Sequence, residues 1–156
     1  MTAAAAGLLA KVSRASTDCW ADARTVSAQA QALHDRVAPL AELDAETYAA
    51  ALTARADGSD DFELGRAYAR AAEPPLQIVE TATDVAMLAV IVARGGDQSL
   101  RADAVAAAAL AAGAASAAAE LVAVNLTASP SDERVRQART LAEEAAGAAK
   151  EAFAGS

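Results

Sequence analysis

The chain has 156 residues, which is enough for one domain with a core and too few for two. Apolar residues make up 54% and aromatic residues only 3%, with alanine at about one residue in three, so the composition favours long helices over strands. The formal net charge of −8 opposes binding to phosphate backbones and predicts no nucleic-acid partner.

Cysteine content and the first residues predict a cytoplasmic protein. Cys19 is the single cysteine, so no internal disulfide is expected. Residues 1–9 lack a basic segment and carry only a short apolar run, which argues against a signal peptide. The stretch 104–126 contains one charge and is long enough to span a bilayer. Its alanine and serine content favours instead a central helix buried on all sides, in a protein that does not enter the membrane.

The first half of the chain predicts three helical segments. A helix over residues 3–14 is followed by a polar stretch, 15–18, that offers capping side chains to the next helix. A long helix is expected from 21 to 56, interrupted only by Pro39. The turn 57–60 ends it, with Gly58 suited to a left-handed cap. A short helix over 62–72 stops at Pro74 and Pro75.

The second half continues the same pattern. Pro75 is suited to a first helical turn and opens a helix to about Arg94, followed by a loop over 95–99. The alanine-rich helix spans about 100–126, and Ser129, Pro130 and Asp132 form a turn and cap before a last helix that ends near Phe153. We therefore predict a single all-α domain over 1–156, an up-and-down bundle of about five helices, two of them long.

Small residues recur every four positions in the alanine-rich helix, at Ala109, Gly113 and Ala117. Such spacing lets a neighbouring backbone approach closely. Because one chain of long helices cannot cover every apolar face, we expect a homodimer.

Asp44 interrupts an apolar stripe on the long helix. The stripe advances in steps of three and four residues, as one helical face requires, through the positions Val26, Ala30, Leu33, Val37, Leu40, Ala41, Tyr48, Ala51 and Leu52. Apolar surroundings raise the pKa of a carboxyl, which suits proton exchange near neutral pH. The alternative is that Asp44 pairs with a buried arginine or caps a helix end. Pro39 kinks the axis before Asp44 or simply separates two helices.

Five short segments resemble the formiminotransferase-cyclodeaminase and methenyltetrahydrofolate cyclohydrolase family. They are LDAETY at 43–48, PLQIVET at 75–81, ARGG at 93–96 followed by RAD at 101–103, and VNL at 124–126. Each is weakly specific, whereas their order and spacing hold over most of the chain. Where the family pattern has other residues, this chain has Asp97 for Asn, Ala102 for Ser and Leu121 for Asn, and it begins after the family's Gly-Gly-Gly-Ser motif.

The resemblance implies an all-helical homodimer that binds a folate in a cleft near the subunit interface. It implies an enzyme that releases ammonia from a formimino-folate to close a ring, or hydrolyses that ring, with Asp44 as general acid/base. A tetrahydrofolate derivative is then the substrate, and no permanently bound cofactor or metal is expected. The residues we predict to bind substrate are Glu42, Tyr48, Arg94, Arg101, Asp103, Glu120 and Asn125.

Several of these residues have a structural alternative. Glu120 could pair with Arg101 or Arg94, and the charges around the 95–99 loop could form a stabilising ion-pair set. Asn125 could cap the end of its helix. His34, the only histidine, is expected to be solvated, and a single histidine excludes a two-histidine metal site.

Two other functional hypotheses remain open from the sequence. The same scaffold could serve a different small-molecule cyclisation or elimination in specialised metabolism. It could also be a non-catalytic helical dimer that binds a ligand or a partner protein.

Overall fold

The computed structural model describes residues 1–127 and 131–154, and this part of the chain is all-α with no strand. The predicted fold class is confirmed. Seven α-helices follow one another: α1 Thr2–Ala15, α2 Ala23–Val37, α3 Leu40–Ala56, α4 Asp61–Ala71, α5 Glu73–Gly95, α6 Arg101–Asn125 and α7 Glu133–Ala154. A 3-10 turn, Gln98–Leu100, precedes α6.

The structure has one α-helix more than the six helical segments marked in the sequence, because the long helix expected over 21–56 is two helices. Ala38 and Pro39 separate α2 from α3, although both keep helical backbone angles. Proline has no N–H to continue the hydrogen-bond ladder, so Pro39 divides the helix. The polar stretch 15–18 does not cap the second helix. That helix begins later, at Ala23, and the Ser16 hydroxyl bonds back to the Val12 carbonyl of α1 (2.9 Å).

Helix α5 occupies the centre of the bundle. It contacts all six other α-helices, and its Val79, Val85 and Val92 side chains are fully buried. Helices α1, α6 and α7 form the main core with it, whereas α3 and α4 pair with each other and pack beside its N-terminal half. Most core side chains are alanines, which lets the helix axes lie close together.

Helix α6 is not buried on all sides, contrary to the sequence prediction. It contacts α1, α5 and α7 on one side, while the opposite face is open and carries Leu110 (40% exposed), Leu121 (46%) and Val124 (62%). A Cβ added at Gly113 would meet no atom within 4 Å. The stripe of small residues therefore faces outward, because α5 fills the centre that the sequence assigned to α6.

The predicted turn signals are confirmed where the structure describes them. Gly58 has a φ of +77°, and the amides of Gly58 and Ser59 bond to the carbonyls of Arg55 and Ala54, the pattern of a Schellman cap. Pro74 and Pro75 lie in the first turn of α5. The Asp132 carboxylate accepts a hydrogen bond from the Arg134 amide (3.0 Å) at the start of α7, whereas Ser129 and Pro130 lie outside the described residues.

Two sets of contacts fix the opposite ends of the bundle. At one end, called here the Ser16 end, the Ser16 hydroxyl accepts from the Asp97 amide (2.9 Å) and the Trp20 ring packs against Gly95. At the other, the Asn125 end, the Asn125 amide donates to the Ala71 carbonyl (2.8 Å). The ends of α5 and α6 are thereby tied to the α1–α2 connection and to α4.

Two helical stretches in the described part of the chain, Asp61–Gly95 and Gln98–Asn125, could span a membrane by length and composition alone. Within their most apolar windows, 61% and 50% of residues are buried inside the protein. Core helices of soluble proteins pass the same criteria, so the two stretches are weak evidence for membrane insertion.

Candidate functional site

Asp44 lies near the start of α3 and is half-buried. Partial burial removes water from its carboxyl and raises the pKa of that group. No described side chain forms a hydrogen bond or an ion pair with the carboxylate, so neither the buried arginine nor the capping role considered from the sequence is present there. The Asp44 carboxyl is thus partly shielded from water and partly exposed to solvent.

The apolar stripe around Asp44 is less buried than its spacing predicted. Of its positions on α3, Leu40 and Ala51 are buried, but Tyr48 is 42% exposed and Leu52 is 44% exposed. The reason is that α3 lies at the edge of the bundle, where it packs mainly against α4 and α5. The structure therefore contains a half-buried aspartate at the edge of the bundle, where the sequence predicted one buried among apolar side chains.

Tyr48 and Glu42 differ in their relation to Asp44. Residues four apart share a helix face, so Tyr48 lies on the same side of α3 as Asp44. Glu42 is two residues away and points elsewhere, exposed to solvent. Of the predicted binding residues on this helix, the geometry groups only Tyr48 with Asp44.

The predicted cations lie at the Ser16 end. Arg94 pairs with Glu151 (2.7 Å) and Arg101 donates to the Ala152 carbonyl (2.7 Å), so both attach the 95–100 connection to the end of α7. Asp103 is exposed nearby. Both arginines thus stabilise the loop, but through α7 and not as the ion-pair set around the loop that the sequence left open.

Helix geometry separates this group from Asp44 within one chain. Arg36, eight residues before Asp44, bonds through Nε to the Thr81 hydroxyl (3.0 Å). Thr81 is thirteen residues before Arg94, which corresponds to about 20 Å along α5. Since α2 leads away from the Ser16 end, the chain does not bring Arg94 and Arg101 to Asp44.

Asn125 and Glu120 also occupy different environments. Asn125 is buried, and its amide holds the end of α4 through the Ala71 carbonyl. Glu120 lies on the open face of α6, and no described residue pairs with it. The pairing of Glu120 with Arg94 or Arg101 is wrong, because both arginines bond to the end of α7.

Sequence analysis missed a groove of about 450 Å³ between α2 and α5. An ion pair between Arg36 and Asp84 (2.7 Å) lies at this groove, and Arg36 also contacts Thr81 of the PLQIVET segment. Glu80 of that segment accepts a hydrogen bond from Gln137 (3.0 Å). The groove is lined by Gln29, Ala32, Leu33, Arg36, Asp84, Met87, Leu88 and Ile91. The sequence carried no signal for this groove, because the exposure of Met87 and Ile91 depends on how α2 and α7 pack beside α5.

Metal ligands are not gathered in the described part of the chain, where no three His, Cys, Asp or Glu side chains lie close enough to hold an ion. His34 is partly exposed and its ring nitrogen contacts Asp35 (3.1 Å). Asp97, which stands in place of the family's Asn, accepts hydrogen bonds from both the amide and the hydroxyl of Ser99. These bonds lower the pKa of Asp97 and cap the 3-10 turn.

The sequence pattern of the formiminotransferase-cyclodeaminase family matches residues 1–144. No curated protein sequence is significantly similar to the chain. Among solved structures, the formiminotetrahydrofolate cyclodeaminase of Thermotoga maritima superposes with a TM-score of 0.87 at 19% identity. The match covers 97% of this chain and 80% of that one, which shows a common fold.

Proposed function

Because the chain belongs to the formiminotransferase-cyclodeaminase family, we propose that it is an enzyme that makes or breaks a C–N bond in a folate or a folate-like cyclic amidine. Asp44 is its general acid/base. The observation that carries the assignment is the unpaired, half-buried carboxyl of Asp44. The resemblance of the LDAETY segment to the family implies the catalytic aspartate at the same position.

The chemistry of ring closure explains what such a carboxyl does. A ring-forming nitrogen attacks the amidine carbon and loses a proton, while the leaving nitrogen gains protons and departs as ammonia. One carboxyl can accept the first proton and deliver it to the leaving group, provided that its pKa lies near the working pH. Partial desolvation shifts the pKa of Asp44 in that direction.

Tyr48 is the substrate contact that we place beside Asp44. It lies one helical turn away on the same face, and its ring is 42% exposed. An exposed aromatic ring next to a proton-exchanging acid suits a flat heterocycle such as a pterin. Glu42, Arg94, Arg101, Asp103, Glu120 and Asn125 remain predicted binding residues that one chain does not assemble around Asp44.

The substitution Asp44→Asn tests the catalytic assignment. It keeps the shape of the side chain and removes proton exchange, so we expect turnover of a formimino- or methenyl-tetrahydrofolate to fall by about 10²-fold or more. Circular dichroism and light scattering should show unchanged helicity and oligomeric state. Glu46→Gln, an exposed acid on the same helix, is the matched control and should keep full activity. An unchanged rate in Asp44→Asn would exclude this role.

Ligand binding can be tested separately from turnover. A ligand that binds only the native state raises its apparent stability, so reduced folates should raise the melting temperature of both the native protein and Asp44→Asn. Binding without turnover would favour a non-catalytic function. If no reduced folate shifts the melting temperature, the scaffold serves another small molecule.

Assembly and location form part of the same proposal. A single chain leaves apolar side chains of α5 and α6 exposed to solvent. Because a second copy of the chain can cover them, we propose a homodimer. The free, exposed thiol of Cys19 is compatible with a reducing compartment, and we place the protein in the cytoplasm without nucleic acid or membrane as a partner.

A further inference from the structure

The junction between α4 and α5 lacks part of its backbone hydrogen bonding. Only Ala72 separates the two helices, and it keeps helical angles (φ −83°, ψ −16°). In a continuous helix, each carbonyl accepts from the amide four residues later. The Ala71 carbonyl has no such donor, because the residue four positions later is Pro75. Pro74 withholds an amide from the Arg70 carbonyl in the same way.

Two side chains from other helices donate to carbonyls at this junction. The amide of Asn125, at the end of α6, donates to the Ala71 carbonyl (2.8 Å). The guanidinium of Arg134, in the first turn of α7, donates through Nη1 to the Ala69 carbonyl (3.0 Å). We call Asn125 and Arg134 the junction pair.

The surroundings of the junction pair make these bonds hard to replace with water. Asn125 is buried, and the side chain of Arg134 is only 28% exposed. The Asp132 carboxylate accepts from Nε (3.1 Å) and Nη2 (2.8 Å) of Arg134, which orients the guanidinium and leaves Nη1 for the Ala69 carbonyl. Helices α6 and α7 thereby fix the angle at which α4 meets α5.

Helix α3 depends on α4 for its position. In the described part of the chain, the side-chain hydrogen bonds of α3 stay within that helix, from Thr47 and Thr53 to carbonyls of the preceding turn. Packing, not polar contact, therefore holds α3 to its neighbours. Ala51 of α3 belongs to a small apolar cluster with Ala67 and Ala71 of α4. A change in the direction of α4 would carry α3 with it.

Asp44 lies on the side of α3 that this packing orients. It is seven residues, or two helical turns, before Ala51, so the two side chains point to the same side of the helix. Ala51 is fully buried and Asp44 is half-buried. The position of Asp44 relative to the bundle is thus set through α4. A displacement of about 1 Å at a reacting group can lower a rate about 10²-fold.

We propose that Asn125 and Arg134 are positioning residues for the candidate reaction, which hold the α4–α5 junction and through it place α3 and Asp44. The inference rests on the proposed function of Asp44 and adds two residues that do not touch the substrate. The resemblance to the family implied that Asn125 binds substrate. In this proposal its partner is instead the backbone carbonyl that Pro75 leaves without a donor.

Native-state hydrogen exchange tests whether the junction pair holds α3. The variant Arg134→Met keeps an unbranched side chain and removes the donor to the Ala69 carbonyl. We expect the amides of α3 and α4 to exchange faster by about tenfold more than those of α1 do. The matched control is Arg136→Met, because Arg136 is exposed and pairs with Glu133 within α7, and it should leave the exchange rates unchanged. Equal acceleration in every helix, or none in α3, would overturn the proposal.

Turnover and titration test whether the same contacts place Asp44. In Arg134→Met, kcat should fall about 10-fold or more while KM stays nearly unchanged, because substrate still binds but the acid is displaced. The pKa of the Asp44 carboxyl, followed by carbon NMR, should move towards its ordinary value as water reaches the group. Arg134→Lys keeps one donor for the Ala69 carbonyl and should recover most of the lost kcat. A native kcat and a native Asp44 titration in Arg134→Met would contradict the positioning role.

The failure of this proposal can be told apart from the failure of the catalytic assignment. If Asp44→Asn is inactive while Arg134→Met keeps its native kcat and exchange pattern, the positioning role is wrong and the role of Asp44 stands. If Asp44→Asn keeps full activity, the catalytic assignment is wrong. Exchange and titration then still measure whether the junction pair places α3, because neither readout depends on turnover.

Discussion

At the scale of single residues, the partial burial of Asp44 suits the proposed proton transfer but lowers the stability of the fold at neutral pH. Folding raises the pKa of its carboxyl, so the native state holds the proton more tightly than the unfolded chain does. As pH rises above the ordinary aspartate value near 3.8, the folded state must ionise a partly desolvated group and loses stability relative to the unfolded chain.

We expect Asp44→Asn to melt at an equal or slightly higher temperature than the native protein at pH 7. The amide removes the desolvated charge, and the advantage should shrink as pH falls towards 4. Melting curves across this range, beside those of Glu46→Gln, measure the effect. A variant that is clearly less stable at neutral pH would show that the carboxylate stabilises the fold.

A glycine at the Ser16 end and one on α6 should respond in opposite directions to alanine. A Cβ at Gly95 would lie 2.7 Å from the Trp20 ring, so Gly95→Ala forces that ring to move and should cost about 1–3 kcal/mol. Gly113 has open space and an interior helical position, so Gly113→Ala should stabilise by about 0.5–1 kcal/mol. Urea unfolding compares the two. Destabilisation by Gly113→Ala would indicate that another helix packs closely on α6.

Asp132 should control part of the acid sensitivity of the fold. Hydrogen bonds from the Arg134 guanidinium and amide lower the pKa of Asp132 to about 2. The unfolded chain therefore binds this proton first, and the stability contributed by the pair is lost as pH falls from about 4 to about 2. In acid unfolding, Asp132→Asn should lose less stability over that pH interval than the native protein does. The control Asp22→Asn, at a helix start without a side-chain cap, should follow the unfolding curve of the native protein.

At the scale of helices, sequence patterns predicted where segments begin and end better than which face is buried. Gly58 and the Pro74–Pro75 pair are strong local signals because they act on their own backbone. Burial depends on neighbours that are distant in sequence. An alanine-rich helix has nearly equal hydrophobicity on all sides, so nothing in α6 itself indicated that one face would be left open.

Asn125 illustrates a contact that no local pattern predicts. Its partner, the Ala71 carbonyl, lies 54 residues earlier in the chain. We expect Asn125→Ala to cost about 1–3 kcal/mol, because it leaves a carbonyl in the interior without its donor. Thermal unfolding measures this loss, and Thr127→Ala, an exposed neighbour, is the control. An unchanged stability would show that water replaces the amide.

At the scale of the whole molecule, the fold class and the family were accessible from the sequence, whereas the assembly of the site was not. The order of the motifs indicated the family, and the alanine content indicated an all-α fold. The predicted site residues belong to segments that lie at opposite ends of the folded bundle. Only coordinates show that Arg94 and Asp44 are distant within one chain.

The position of Trp20 provides a built-in optical reporter. It is the only tryptophan in the chain, and its ring rests on Gly95 at the place where the α1–α2 connection meets the α5–α6 connection. Its emission therefore senses the opening of that junction, whereas far-ultraviolet ellipticity averages over every helix. If the two signals change at the same denaturant concentration, the bundle opens as one cooperative unit; an earlier change in emission would identify this junction as the first part of the molecule to come apart.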